Sequence, residues 1–261
     1  MYTAGYKSFQ KMQQKKFYFL LLPALFWVFV VACHKPWYIL QHQDSHYTVY
    51  SADPQDSNIL ALIKPYKTGI DTQMRQVIGH AAIPMTKAQP ECGLGNFMAD
   101  AQLEIIQRID TSIRISVVNY GGIRLPYLPS GSITKGKIFE LMPFDNQLVI
   151  LEVSGSLLRT FCNHMAKLGG WPVSGISYSI RNDTAENILV EGKALADTTR
   201  YKIVLSDYIA GGGDYCFFLK EVPAIKTGVL LRDALLEYLR TKTAQGISIE
   251  PKISGRVTYA E

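Results

Sequence analysis

Two glycine runs in this chain are flanked by side chains able to make directional polar contacts. One is Asn119-Tyr120-Gly121-Gly122-Ile123-Arg124; the other is Asp207-Tyr208-Ile209-Ala210-Gly211-Gly212-Gly213-Asp214. Glycines such as Gly121, Gly122, Gly212 and Gly213 let another molecule approach the backbone closely. Asn119 offers an amide, and Arg124 a planar donor fork suited to phosphate or carboxylate. No Lys-Ser or Lys-Thr follows the second run, so it is not a phosphate loop of the Walker type. Asp214 follows instead. A carboxylate repels phosphate but accepts hydrogen bonds from sugar hydroxyls. Two aromatics stand at turns: Phe144 after Pro143, and Tyr208 before the glycines. Two rings at loop tips can sandwich a base, each stack contributing about 1–3 kcal/mol. Taken singly, each residue has a plain structural reading: a turn aspartate capping amides, a surface arginine, a packed ring. Taken together they describe a pocket for something flat, hydroxylated and anionic, as a nucleotide is.

Other chemistries lack their residues. A two-metal phosphoesterase needs clustered His, Asp and Asn ligands. The five histidines are His34, His42, His46, His80 and His164. Three precede residue 50, and His42, Asp44 and His46 there could bind metal only weakly. No metal centre and no cofactor are expected in this chain. No Gly-x-Ser-x-Gly elbow occurs; Ser154-Gly155-Ser156 reads as a helix cap, and His164 as a structural helix residue.

The elements that must position the pocket follow from periodicity. Ser57–Met74 is an amphipathic helix that Pro65 should kink or break. Val77–Ile83 reads as a strand. Phe97, Ala101, Ile105 and Ile109 recur at helical spacing over Leu94–Ile109. Ile113–Val118 is a β-rich run entering the Asn119 turn, and Tyr201–Asp207 enters the second glycine run. Thr134–Leu141, Ser154–Leu168 and Thr227–Lys242 read as helices; Gln147–Val153, Ser174–Ile180 and Ile253–Tyr259 read as strands. Strands and helices interleave without a strict βαβ rhythm, which indicates an α+β fold of layered mixed sheet.

The chain has 261 residues, 48% hydrophobic and 19% charged, enough for one sizeable core. Its net charge is +5, but Lys7, Lys11, Lys15 and Lys16 precede an apolar run, and setting these four aside leaves about +1. No basic stripe follows, so nucleic acid is not an expected partner. Phe17–Ala32 is uncharged and short for a membrane span. A basic lead, a short apolar core and Val30-Val31-Ala32-Cys33 describe a secretory signal whose boundary resembles the bacterial lipobox, with Cys33 the lipidated residue. An uncleaved single-span anchor is the alternative. Either way the remainder leaves the cytoplasm. Residues 1–32 are thus read as a signal peptide, 33–55 as a tether, and 56–261 as the folded domain, a linker helix over 56–75 and a core over 76–261. The other cysteines, Cys92, Cys162 and Cys216, read as buried thiols, with one disulfide open to an exported protein.

At four segments, in order, the chain resembles the C-terminal, substrate-binding domain of the secreted 5′-nucleotidase family. Leu94-Gly95-Asn96-Phe97-Met98-Ala99-Asp100-Ala101 is similar to the family's Leu-Gly-Asn-Leu-Ile-Ala-Asp-Ala. Asn119–Arg124 is similar to Asn-Gly-Gly-Gly-Ile-Arg, Met142-Pro143-Phe144-Asp145-Asn146 to Leu-Pro-Phe-Gly-Asn, and Tyr208–Asp214 to Phe-Leu-Ala-x-Gly-Gly-Asp. The resemblance spans roughly residues 75 to 258. It implies that Phe144 and Tyr208 clamp the base, Asp214 holds the ribose, and Asn119 and Arg124 contact polar groups, Arg124 on the phosphate side. Three departures stand out: Tyr120 replaces a glycine, Tyr208 a phenylalanine, and Pro90 lies where the family often places a second phosphate-binding arginine. In the family, a separate N-terminal metallophosphatase domain carries the metals and the catalytic residues. Here a lipoprotein-like signal and tether occupy that place. The expectation is an exported, lipid-anchored nucleotide-binding domain at the periplasmic or cell-surface face of a bacterial membrane. It would supply substrate recognition to a separately encoded metallophosphatase, which alone would hold divalent metals. The alternative is a stand-alone surface protein that binds nucleosides or nucleotides. A scaffold that has lost its pocket is a third reading, against which the intact Phe144, Tyr208, Asp214 and Arg124 set argues.

Overall fold

The run Gln147–Ser154 carries Leu148, Val149, Ile150, Leu151 and Val153, all buried, so apolar groups must cover both of its faces. A computed structural model describes residues 56–260 and places this strand inside a mixed five-stranded sheet. Residues 56 onward form one compact unit. Its elements run α1 (Ser57–Met74), β1 (Val77–Ala81), β2 (Met85–Thr86), α2 (Gly93–Gln107), β3 (Ile115–Val117), β4 (Tyr127–Leu128) and β5 (Gly131–Thr134). Then follow α3 (Lys135–Leu141), β6 (Gln147–Ser154), α4 (Gly155–Lys167), β7 (Val173–Ser174), β8 (Ile176–Arg181), β9 (Thr184–Val190) and β10 (Lys193–Ala194). Last come β11 (Arg200–Ser206), α5 (Asp207–Ala210), β12 (Ala224–Leu230), α6 (Leu231–Ala244) and β13 (Val257–Tyr259).

The central sheet has the order β12-β6-β11-β3-β7, and a second sheet the order β10-β9-β8-β13; β1 pairs with β5, and β2 with β4. The central sheet separates two apolar cores. Leu148, Ile150 and Val204 face one, formed with α2 and α6; Val149, Leu151, Ile203 and Leu205 face the other, formed with α4 and the second sheet. The period of two along β6 and β11 thus supplies both cores from one layer. The result is the layered α+β architecture that the sequence implies.

Strand direction decides where the loops meet. β3 and β11 are parallel neighbours, with Val204 opposite Ser116. Their C-terminal ends, which lead to Asn119 and Tyr208, therefore emerge on one edge. β6 is antiparallel to β11, Leu148 opposite Ser206, so its N-terminal end and the preceding Phe144 turn emerge there too. Gln102, wholly buried on α2, ties the parallel pair together by donating to Ser116 Oγ and Val204 O, each at 2.9 Å.

Several elements differ from the sequence-based expectation. Thr227–Lys242 is not one helix: β12 runs to Leu230, pairing Ile225 with Ile150 and Lys226 with Val149, and α6 begins at Leu231. The apolar 3–4 spacing of α6 hid the short alternation before it. Ser174–Ile180 is two strands in two sheets, divided at Gly175, whose φ is +76° and where a Cβ would strike Arg114 O. Periodicity alone does not predict strand β9. Its signal is the Asn182-Asp183 pair, left-handed at φ 49° and 60°, that turns β8 into β9. Pro65 does not break α1, which continues from Ser57 to Met74. Ile109 lies past the end of α2 and is exposed. The strands expected over 77–83 and 253–259 are shorter, β1 and β13. Ser154 does cap α4, accepting from Leu157 N at 3.2 Å.

Candidate functional site

At that shared edge lies a cavity of about 360 Å³ lined by Asn119, Gly121, Gly122, Arg124, Phe144, Asn146, Tyr208 and Asp214. Its size falls in the range of small-ligand sites. Three segments well separated in sequence contribute to it, each held for an identifiable reason.

The β3 turn supplies Asn119, Gly121, Gly122 and Arg124. Gly122 N donates to Asn119 O at 3.0 Å, closing a tight turn. A Cβ on Gly122 would lie 2.7 Å from Asn119 Oδ1, so glycine is what leaves room for the amide. Asn119 is buried, and its Nδ2 donates to Asp214 Oδ2 at 2.7 Å. Arg124 N donates to Leu141 O at 3.0 Å, and its guanidinium lies 5.5 Å from the centre of the Phe144 ring.

The turn before β6 supplies Phe144 and Asn146. Arg232 of α6 holds it, donating to Asp145 Oδ1 at 2.6 Å and to Phe144 O at 3.5 Å. Arg232 itself stacks over Phe139 at 4.3 Å. Phe144 is left 38% exposed and Tyr208 47% exposed, both bordering the cavity, so each ring has a free surface there.

The β11 end supplies Tyr208 and Asp214. Ser206 caps the single turn α5 by accepting from Ile209 N at 3.3 Å. Asp207 Oδ1 accepts from Gln147 N at 3.1 Å, joining this turn to the start of β6. Tyr208 OH donates to Asp214 Oδ1 at 2.8 Å, and this bond to a carboxylate raises the Tyr208 pKa above the ordinary phenol value. Asp214 sits at φ 48°, ψ 38°, left-handed for a non-glycine residue. His164 of α4 holds it there, its Nε2 donating to Asp214 O at 2.8 Å. Each Asp214 carboxylate oxygen thus has one protein donor and retains capacity for a further one, as hydroxyls of a sugar would provide.

Gly212 and Gly213 do not line the cavity; they support it. A Cβ on Gly213 would lie 2.5 Å from Tyr208 Cε1, and one on Gly212 3.2 Å from Phe217 Cδ1. Pro90 does not line it either. Lys87 lies near the arginine instead: Nζ donates to Ile123 O at 2.8 Å and stands 4.2 Å over the Tyr120 ring. Burial first, and then Arg124, lower its pKa. Reading the residues alone missed Asn146, though it closes the quoted Met142–Asn146 segment. It also gave His164 no partner and Arg232 no role. Arg232 carries no local signal, since its contacts lie 87 and 88 residues away in the chain.

Among the described residues no three His, Cys, Asp or Glu side chains gather as metal ligands. Cys92, Cys162 and Cys216 are free and buried, and burial pushes the Cys162 and Cys216 thiols up to about 12. His42, Asp44, His46 and Cys33 lie outside the described residues.

Residues 77–221 match the model of the 5′-nucleotidase, C-terminal domain. A 5′-nucleotidase of Diplobatis ommata is 24% identical over 255 residues, covering 85% of this chain and 44% of that protein. A 5′-nucleotidase of Vibrio parahaemolyticus is 25% identical, covering 78% of this chain and 37% of that protein. The crystal structure of a 5′-nucleotidase precursor from Thermus thermophilus superposes with a TM-score of 0.67 at 26% identity, covering 80% of this chain and 44% of that one. The chain spans less than half the length of these relatives.

Proposed function

The chain belongs to the 5′-nucleotidase C-terminal domain family, and from that premise we propose that it binds a nucleotide and presents it to a separately encoded metallophosphatase. Phe144 and Tyr208 stack the base, Asp214 accepts from ribose hydroxyls, Asn119 orients the carboxylate, and Arg124 meets the phosphate side. Gly121 and Gly122 admit the ligand to the backbone; Gly212 and Gly213 seat the Tyr208 ring and the Asp214 loop. The metals and the attacking water belong to the partner. The protein acts outside the cytoplasm, held to a membrane by lipid on Cys33. The observation that carries this reading is the single cavity shared by Arg124, Phe144, Tyr208 and Asp214.

Calorimetry tests it. AMP and adenosine are expected to bind, and 2′,3′-dideoxyadenosine to bind more weakly because Asp214 loses its donors. Tyr208→Ala should lower adenosine affinity by roughly tenfold to a hundredfold, the loss of one base stack. Equal binding of adenosine and the dideoxy compound, or no effect of Tyr208→Ala, would contradict the assignment. A stand-alone binding role differs only in lacking the partner. Phosphate release from AMP by a metallophosphatase, with and without this chain, separates the two.

A further inference from the structure

Helix α1 is 18 residues long and buries none of its side chains against the described residues. Ile59, Leu62, Ile63, Tyr66 and Ile70 recur at intervals of three and four, so they form one continuous stripe. Each is between 47% and 71% exposed. Thr68 and Thr72 lie on the opposite side, their hydroxyls bonded back to Lys64 O and Thr68 O, each at 2.9 Å. No described helix is long and apolar enough to cross a membrane. An apolar stripe on a helix whose other side carries Lys64, Thr68, Asp71 and Thr72 instead suits the plane between headgroups and acyl chains. Tyr66, within the stripe, has the amphipathic ring favoured at that depth.

We propose that α1 lies on the bilayer with this stripe inserted, a second membrane contact beyond the lipid. The inference rests on the reading of residues 1–32 as an export signal and of Cys33, which follows it, as the lipidated cysteine. Twenty-two residues, 34–55, separate Cys33 from the capping Asp56. Covalent geometry keeps the start of α1 within roughly 80 Å of Cys33 whatever form those residues take. That confinement makes insertion an intramolecular event at an effective concentration of about a millimolar, so a weakly binding stripe is sufficient. A second copy is a poorer occupant, because five side chains on one helix fall short of the roughly 20–30 residues a side in a stable protein interface.

The test uses the full chain, purified from membranes and reconstituted in vesicles of phosphatidylethanolamine and phosphatidylglycerol. Nitroxide labels are placed singly by Leu62→Cys, Tyr66→Cys and Ile70→Cys on the stripe, and by Thr68→Cys and Thr72→Cys opposite it. The native Cys92, Cys162 and Cys216 are buried. Stripe labels are expected to relax several-fold more with oxygen than with an aqueous nickel chelate, and threonine-side labels the reverse. Equal exposure of all five to nickel would overturn the proposal, as would spin–spin broadening at Leu62, which would mark a second copy on the stripe. The mass of the Cys33 peptide reads the lipid separately. Lipid without the accessibility contrast sinks the helix inference alone; contrast without lipid keeps the helix and removes the anchor. Adenosine affinity, unchanged in all five variants, reports that the domain is folded.

Discussion

Asp214 concentrates the chemistry of the site in one strained residue. It and Tyr215 are consecutive non-glycine residues at positive φ, 48° and 65°, a conformation that persists only when neighbours over-determine it. Here the neighbours are Asn119, Tyr208 and His164, one bond each to the two carboxylate oxygens and the carbonyl. Under the proposed assignment, Asp214→Asn removes the charge that would strengthen contacts to sugar hydroxyls. Adenosine affinity should fall roughly tenfold to a hundredfold, the worth of a charged hydrogen bond, while adenine itself binds nearly as before; calorimetry with both ligands checks this. The Tyr208–Asp214 bond also gives a pH signature. The phenol donates to a carboxylate, so its folded pKa lies above the unfolded value. The contribution of that bond is therefore complete below about pH 10 and is lost as pH rises through the folded pKa. Burial also raises Tyr178 and Tyr238, so absorbance titration at alkaline pH should show one fewer tyrosine ionising above the ordinary range in Tyr208→Phe than in the parent protein. Nucleoside affinity should decline over the same interval.

Elements place these residues, and here the sequence is legible in part. β3, β6, β11 and α4 announce themselves through apolar runs and a serine cap, and the glycine runs mark where two strands end. Nothing local states that β3 and β11 lie side by side and parallel. Yet that pairing, fixed by packing on α2 through Gln102, is what joins the two runs into one site. β12 is hidden from a periodicity reading because strand and helix share the apolar stretch around Leu230 and Leu231. The role of Arg232 is not legible locally because it depends on α6 reaching the Phe144 turn. Arg232→Met keeps the helix and frees that turn. Arg232 does not line the cavity, so adenosine affinity should drop only about fivefold to tenfold, less than the loss of a charged hydrogen bond at the site itself, with far-ultraviolet circular dichroism unchanged. A second check concerns the layers around α4 and the Asp214 loop. Cys162 and Cys216 are buried with thiols raised to about 12, so at pH 8 both should resist a thiol reagent in the folded protein and react fully in denaturant.

At the scale of the molecule, one mixed sheet feeds two cores and exposes three loops along a single edge. Such an arrangement suits a module that holds a ligand firmly while leaving its reacting end open to another protein. The relatives are more than twice as long as the portion matched here. Under the proposed function the chain binds AMP by itself and raises the phosphate release of a metallophosphatase mixed with it. The central claim is the geometry of binding, and a crystal structure with adenosine tests it most directly. The expected result is the purine between the Phe144 and Tyr208 rings with ribose hydroxyls on the Asp214 carboxylate. Adenosine bound elsewhere, or an empty cavity at saturating ligand, would contradict it.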